Sequence, residues 1–296
     1  MMINVTGSLS VINKVGKTLE ILSPIDHNAL DLRTSRDLPF IGHQKDEPGL
    51  NISLINQDSS DDFYHALNDL SDSQAITLIE NGSGKHILNL IHNKELIIRT
   101  LAIQNHCFNG ELNDLPSERI FRLKDIKTSP DISEIVLRTS DIAVFNMNAI
   151  RRGDQNGYLR SNTTGLTIEE ACQIAKFIGA SDLIENVFFL GINLNNDPND
   201  MMACNVANLL WYVSEGVKLR NMDQNISDPE NLVFSVVSEP YDKELQFVKS
   251  AESGRWWVKV PTEEGHMHMA CSKRDYEMAC NNEISKRISL AIETTI

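Results

Sequence analysis

The chain has 296 residues, of which 41% are hydrophobic and 23% are charged, enough for one large core or two smaller ones. Its 27 basic and 41 acidic residues give a net charge of −14, which argues against broad contact with a nucleic-acid backbone. The sequence contains no apolar run of about 18 residues, the minimum for a membrane span, and its start lacks signal-peptide features. The five cysteines have no CxxC spacing, as is typical of reduced thiols. We therefore predict a cytoplasmic protein with neither nucleic-acid partners nor membrane insertion.

Short apolar runs alternate with segments of helical periodicity along most of the chain. The predicted strands, in chain order, are residues 50–55, 75–79, 96–103, 142–145, 187–192 and 232–237. The predicted helices are residues 62–70, 132–138, 167–179 and 197–216, and a last one that begins at residue 272. Thr167 and Glu170 are predicted to form a capping box, and Gly179 is predicted to end that helix.

This alternation of strands and helices is typical of an α/β fold with a mostly parallel sheet. The first 45 residues are less regular, and an edge strand is predicted at residues 14–21. Without an internal repeat or a low-complexity linker, residues 1–296 are predicted to form a single domain, in which residues 240–296 form a C-terminal hairpin and helix.

Local motifs do not identify an enzyme. The turn at residues 81–86 lacks one glycine of the phosphate-binding loop and has His86 where Ser or Thr follows the lysine, which favours an ordinary turn. His266 and His268 could face one side of a strand as metal ligands, but an exposed pair is favoured because no third ligand lies near them in sequence. The sequence has no serine nucleophile elbow, HExxH or GxGxxG.

Several blocks of the second half resemble one protein family in the same order. They are SDIAVFNMNAIR at residues 140–151, EEACQIA at 169–175, ANLLWY at 207–212, SGRWW at 253–257 and YEMACNNE at 276–283. These blocks resemble the arginase (ureohydrolase) family, and within it the formimidoylglutamase-like branch of Bacteroidetes. The resemblance extends over residues 115–290 and is faint before them.

The resemblance implies a three-layer α/β/α fold and two Mn²⁺ ions that activate a bridging hydroxide to attack a guanidinium or formimino carbon. In that family the metal ligands come from a GGxH segment, a DxHxD segment and an SxDxDxxDP segment. Carboxylates are needed there because they offset the charge and the lost hydration of the two ions.

The positions that match these ligands have changed in this chain. Asn146 and Asn148 occupy the acidic positions of the third segment, and Gln104, His106 and Phe108 occupy the DxHxD positions. An amide keeps the shape of a carboxylate but carries no charge, and phenylalanine has no donor atom. This substitution pattern predicts that the dinuclear site is lost and that the chain uses no metal cofactor.

Two further positions follow from the same alignment. Gly84 stands where the GGxH histidine belongs, although a small insertion would bring His86 there. Gly191 stands where the family has a glutamate that holds the cationic group of the substrate.

The leading hypothesis is a catalytically degenerate ureohydrolase-fold protein that acts as a structural, regulatory or assembly partner. The alternative is a metal-dependent hydrolase of formimidoylglutamate or another guanidino or formimino substrate. A third hypothesis is a binding module that keeps an amino-acid-like ligand in the old cleft, lined by Asn146, Arg151 and Arg152.

A homo-oligomer, or a hetero-oligomer with another protein, is also predicted from the resemblance. The candidate interface residues are Arg255, Trp256 and Trp257. Adjacent strand residues face opposite sides, so one indole is predicted to be exposed, and Trp and Arg are enriched at binding hot spots.

Overall fold

The computed structural model describes residues 2–22, 30–34, 49–68, 74–81, 90, 96–104, 115–155, 163–195, 197–223, 225–238, 243–262 and 265–294. The chain divides into two compact units, Met1–Lys218 and Leu219–Ile296, which we call unit 1 and unit 2. In the described residues, no helix combines the length and the apolar character that a membrane crossing requires.

Unit 1 is built on one sheet. Its strands are β1 (Ile3–Gly7), β2 (Leu30–Thr34), β3 (Leu50–Asn56), β4 (Gln74–Ile79), β5 (Leu96–Ile103), β6 (Ile120–Arg122), β7 (Ile142–Asn146) and β8 (Asn186–Ile192). Its helices are α1 (Leu9–Ile21), α2 (Ser60–Asn68), α3 (Leu123–Thr128), α4 (Asp131–Leu137), α5 (Ile168–Ala180) and α6 (Met201–Val217). The strand order is β2-β1-β3-β8-β7-β4-β5-β6, and every neighbouring pair is parallel.

The central strands are buried on both faces, which divides unit 1 into three layers. Phe145 and Phe189 belong to a core with α1, α5 and α6, whereas the adjacent Val144 and Phe188 belong to a second core with α2. Successive side chains of a strand point to opposite faces, so these two cores lie on the two sides of the sheet. The predicted α/β/α fold with a mostly parallel sheet is confirmed.

Five of the six predicted strands lie in this sheet within one residue of their predicted ends, whereas the start of the chain differs. The predicted edge strand at residues 14–21 is wrong, because these residues belong to helix α1. The buried side chains of α1 are Val11, Ile12, Val15 and Leu19, which follow helical spacing. The described part of residues 1–45 also contains β1 and β2, so it is more regular than predicted.

Helix α5 begins as predicted and ends later than predicted. The Thr167 hydroxyl accepts the Glu170 N–H at 3.2 Å, and the Glu170 carboxylate accepts the Thr167 N–H at 2.8 Å. The helix continues through Gly179 to Ala180, and Gly179 is buried. Glycine is required here by a close approach between two helices rather than by a helix end.

That approach joins α5 to α6. A Cβ added to Gly179 would lie 2.1 Å from the Val213 carbonyl oxygen, and one added to Gly216 would lie 2.1 Å from the Lys176 carbonyl oxygen. Both obstacles are backbone atoms, so neither can rotate away. The two glycines therefore set how closely α5 and α6 pack.

Unit 2 contains an antiparallel sheet with the strand order β12-β11-β10-β9. Its elements are β9 (Leu232–Ser238), β10 (Lys243–Lys249), β11 (Trp256–Thr262), β12 (Gly265–Cys271), α7 (Lys273–Cys280) and α8 (Lys286–Thr294). Ser272 caps α7 as predicted: its hydroxyl accepts the Asp275 N–H at 3.2 Å. The predicted hairpin and single helix therefore form only part of this unit. That residues 1–296 behave as a single domain stays a prediction.

The glycine contact gives a test of the helix packing. Gly179→Ala is expected to lower the free energy of unfolding by about 1–3 kcal/mol, because the added methyl group forces α5 and α6 apart. Gly153→Ala is the matched control, since a Cβ at Gly153 meets no atom within 4 Å. Urea unfolding of both variants checks this prediction, and equal stabilities would contradict it.

Candidate functional site

Polar side chains collect where strands β4, β5 and β7 end. Glu80 and Asn81 follow β4, Gln104 follows β5, and Asn146 is the last residue of β7. All of these residues are buried. The carboxyl edge of a parallel sheet is where ligands bind in open α/β folds, so this edge is the candidate site.

Asn146 ties the end of β7 to its surroundings. Its side-chain oxygen accepts the Asn148 N–H at 3.1 Å, and its side-chain nitrogen donates to the Tyr64 hydroxyl at 3.5 Å. Asn148 bonds to Asn81, the second residue after β4: its side-chain oxygen accepts the Asn81 N–H at 3.4 Å, and its backbone oxygen accepts from the Asn81 side chain at 3.1 Å. Both amides at the predicted ligand positions therefore make hydrogen bonds within the fold.

Gln104 has a similar role at the end of β5. Its amide nitrogen donates to the Thr164 carbonyl oxygen, and its side-chain oxygen accepts the Thr164 hydroxyl at 2.7 Å. Two residues earlier, Ala102 has a φ of 69°, and the pairing of β5 with β6 shifts register there. Such a bulge redirects the side chains that follow it, which accounts for the turn of Gln104 toward Thr164.

Glu80 is a buried carboxyl that the sequence analysis missed. It is 3% exposed, and its Oε2 accepts a hydrogen bond of 3.0 Å from the Tyr64 hydroxyl. Its Oε1 is buried and has no hydrogen-bond partner among the described residues. Burial raises the pKa of Glu80 from 4.5 to about 7, although the bond from Tyr64 acts in the opposite direction. The signal in the sequence was a lone acidic residue directly after a mostly apolar strand.

The other predicted positions fall into two groups. Gly84, His86, His106 and Phe108 lie outside the described residues. Gly191 is buried in β8 with a φ of 77°, a left-handed conformation that favours glycine. A glutamate at this position would be strained.

The arginines proposed to line a cleft lie on the surface. Arg151 and Arg152 are both exposed, and the Arg151 guanidinium pairs with the Asp154 carboxylate at 2.9 Å. Neither makes a hydrogen bond to Asn146 in the described part of the chain.

The described donors at this edge do not fit two Mn²⁺ ions. A dinuclear centre brings four positive charges, and the described polar residues around Asn146 include a single carboxyl, Glu80. The amides of Gln104 and Asn146 are engaged in the bonds above. Across the described residues, no group of three His, Cys, Asp or Glu side chains is placed to hold a metal ion. Residues 82–89 and 105–114 lie outside the described residues.

The candidate interface residues of unit 2 are more buried than the sequence analysis assumed. Trp256 and Trp257 are each 8% exposed. Trp256 belongs to a cluster of three rings, in which its centroid lies 5.3 Å from that of Phe234 and 5.3 Å from that of Tyr276. The Arg255 guanidinium pairs with the buried Asp223 carboxylate at 3.3 Å. The exposed indole that the interface hypothesis assumed is not found, so the interface role of these residues stays a prediction.

Comparison with known proteins gives a result at the level of structure alone. No protein-family model matches the chain, and no curated protein matches it. Among solved structures, Trypanosoma cruzi formiminoglutamase with Mn²⁺ matches with a TM-score of 0.56 at 10% identity, over 74% of this chain and 94% of that one.

Two bacterial structures have TM-scores and sequence identities in the same range. Formimidoylglutamase from Bacillus subtilis has a TM-score of 0.56 at 13% identity, over 75% of this chain and 88% of that one. Arginase from Bacillus cereus has a TM-score of 0.52 at 11% identity, over 72% of this chain and 98% of that one. The chain therefore has the arginase-like α/β/α fold of the ureohydrolases.

The raised pKa of Glu80 predicts how stability depends on pH. Between pH 4.5 and 7 the unfolded state loses this proton while the folded state keeps it, so Glu80 makes the protein less stable as the pH rises. Glu80→Gln has no such proton. Its stability relative to wild type is therefore expected to increase by up to about 3 kcal/mol from pH 5 to pH 8.

Urea unfolding across this pH range checks the prediction. Tyr64→Phe is the companion variant: it removes the hydrogen bond that lowers the pKa of Glu80, so the loss of stability is expected to begin at the same pH and to continue to a higher pH. If the free energies of unfolding of Glu80→Gln and wild type differ by the same amount at every pH, Glu80 is ionised in the folded state as well as in the unfolded state across this range.

Proposed function

We propose that this chain is a non-catalytic protein with the ureohydrolase fold, which acts as a structural or regulatory assembly partner instead of hydrolysing a guanidino or formimino substrate. The observation that carries the proposal is the set of amides at the carboxyl edge of the sheet. By the resemblance, Gln104, Asn146 and Asn148 stand at positions of acidic ligands, and the side chain of each makes a hydrogen bond to a neighbouring segment.

The charge at this edge supports the same proposal. Carboxylate ligands neutralise a pair of divalent ions, whereas amides leave most of their charge unbalanced in a buried site. Glu80 supplies at most one negative charge, and its raised pKa makes it largely neutral below pH 7. A buried edge of neutral donors and acceptors needs no ion to balance it.

The alternative is a metal-dependent hydrolase. One solved structure with a similar fold supports it, because that structure contains Mn²⁺. The Trypanosoma cruzi formiminoglutamase with the same fold was solved with Mn²⁺. For this chain to hold two ions as well, the ligands would have to come largely from residues outside the described set, such as His86 and His106.

Metal content and activity separate the two functions. After expression with added Mn²⁺, we expect elemental analysis to find close to zero manganese per chain and no urea or formamide release from arginine, agmatine or formimidoylglutamate. Two bound ions per chain, or turnover that His106→Ala abolishes, would instead support the hydrolase.

Restoring one acidic ligand is expected to harm the fold rather than to restore the site. Asn146→Asp removes the donor to Tyr64 and adds a carboxyl close to Glu80. At pH 8 the loss should be about 1–3 kcal/mol, because the new charge is buried and unpaired. It should shrink toward pH 5 as that carboxyl becomes protonated.

The control for this variant is Asn195→Asp, which makes the same change in net charge at an exposed position. Thermal melts with and without Mn²⁺ provide the measurement. A melting temperature that rises with Mn²⁺ for Asn146→Asp, but not for Asn195→Asp, would reveal a latent metal site and contradict the proposal.

A further inference from the structure

The described sheets have four edge strands, and three of them carry features that discourage pairing with another chain. Strand β2 contains Asp31 and Arg33, which form an ion pair at 2.8 Å. Strand β6 has only three residues, Ile120–Arg122. Strand β12 begins at a glycine and carries His266 and His268.

The fourth edge strand, β9, has no such protection. Its seven residues, LVFSVVS, contain no charge, no proline and no glycine. All seven pair with β10 in one unbroken register, so no bulge twists this edge away. Long, flat and uncharged edges are the ones that accept another strand.

The side chains of β9 show a second unusual feature. Phe234 and Val236 pack into the core of unit 2, but Val233 and Val237 on the opposite face are 59% and 70% exposed. Ser235 lies between these two valines and is also exposed. The open edge therefore coincides with exposed apolar side chains.

We propose that β9 pairs antiparallel with β9 of a second copy of this chain, about a two-fold axis at Ser235. In this register Val233 lies opposite Val237 of the second copy, and Ser235 lies opposite its own counterpart. On the core face Phe234 lies opposite Val236. The two four-stranded sheets then form one continuous antiparallel sheet.

A second copy fits this edge better than an unrelated strand because the pattern is self-complementary. The first and second residues on either side of Ser235 are all apolar. In the proposed register, each pair next to the axis therefore joins two apolar side chains. Two copies that each carry a net charge of −14 repel one another, and an uncharged strand is where they can approach most closely.

The area of the contact determines how tightly the two copies are expected to bind. One strand pair of seven residues buries much less than the about 800 Å² per partner of a standard stable interface. The dimer should therefore dissociate in the micromolar range. The inference deepens the assembly role proposed above but does not require the loss of manganese, so metal content and association are tested independently.

The test exploits the predicted pairing of positions 233 and 237. Val233→Lys combined with Val237→Lys places like charges opposite each other on both sides of the axis, and is expected to yield monomers. Val233→Lys combined with Val237→Glu places opposite charges there and is expected to retain the dimer. Sedimentation velocity at several concentrations measures both variants, after circular dichroism has confirmed folding.

Met267→Lys is the control, because Met267 is an exposed apolar residue on the opposite edge strand, β12. It should leave the dimer intact. A wild-type chain that stays monomeric at high micromolar concentration would overturn the proposal. So would an oligomer that the paired lysines leave unchanged, or a folded lysine–glutamate variant that remains monomeric.

A cross-link tests the register without introducing charge. In a Cys280→Ser background, which removes an exposed thiol, Ser235→Cys places two thiols opposite each other at the axis. Mild oxidation with copper phenanthroline is expected to produce a disulfide-linked dimer that the Cys280→Ser protein alone does not form. Failure of this variant to cross-link above that background would contradict the proposed axis.

Discussion

The structure of unit 1 depends on burial of its central strands on both faces. Strands β7 and β8 send phenylalanines into opposite cores, so these two strands hold helices on either side and have apolar side chains or glycine between their ends. Polar side chains of these strands can therefore lie only at their ends. The carboxyl edge becomes a buried polar region, where each donor and acceptor needs a partner within the protein or a ligand.

Much of this architecture could be predicted from the sequence, because a strand buried on both faces is a continuous apolar run. The same property predicted a strand at residues 232–237, and these residues do form a strand, β9. Its place at an edge of the antiparallel sheet in unit 2 became known only from the structure. The single serine of this run, Ser235, lies between exposed valines, a pattern typical of a strand with one solvated face.

What could not be predicted depends on contacts between residues distant in sequence. Gly179 resembled a helix end, since nothing nearby in the sequence shows that Val213 lies against it. Glu80 gave only a weak signal, because its environment comes from Tyr64, 16 positions earlier, and from the end of β7. The amides at positions 104, 146 and 148 were recognised through the resemblance, but their hydrogen bonds became known only from the structure.

Those hydrogen bonds explain why amides suit this edge when no ion is bound. Asn146 accepts one bond and donates another, whereas a carboxylate at the same position could only accept. The Tyr64 hydroxyl has a single proton, which it donates to Glu80, so an ionised aspartate in place of Asn146 would be left facing an oxygen lone pair. A metal ion would relieve that conflict by binding the carboxylate. Without the ion, the amide of Asn146 hydrogen-bonds to Tyr64 and Asn148 together, which stabilises the protein around it.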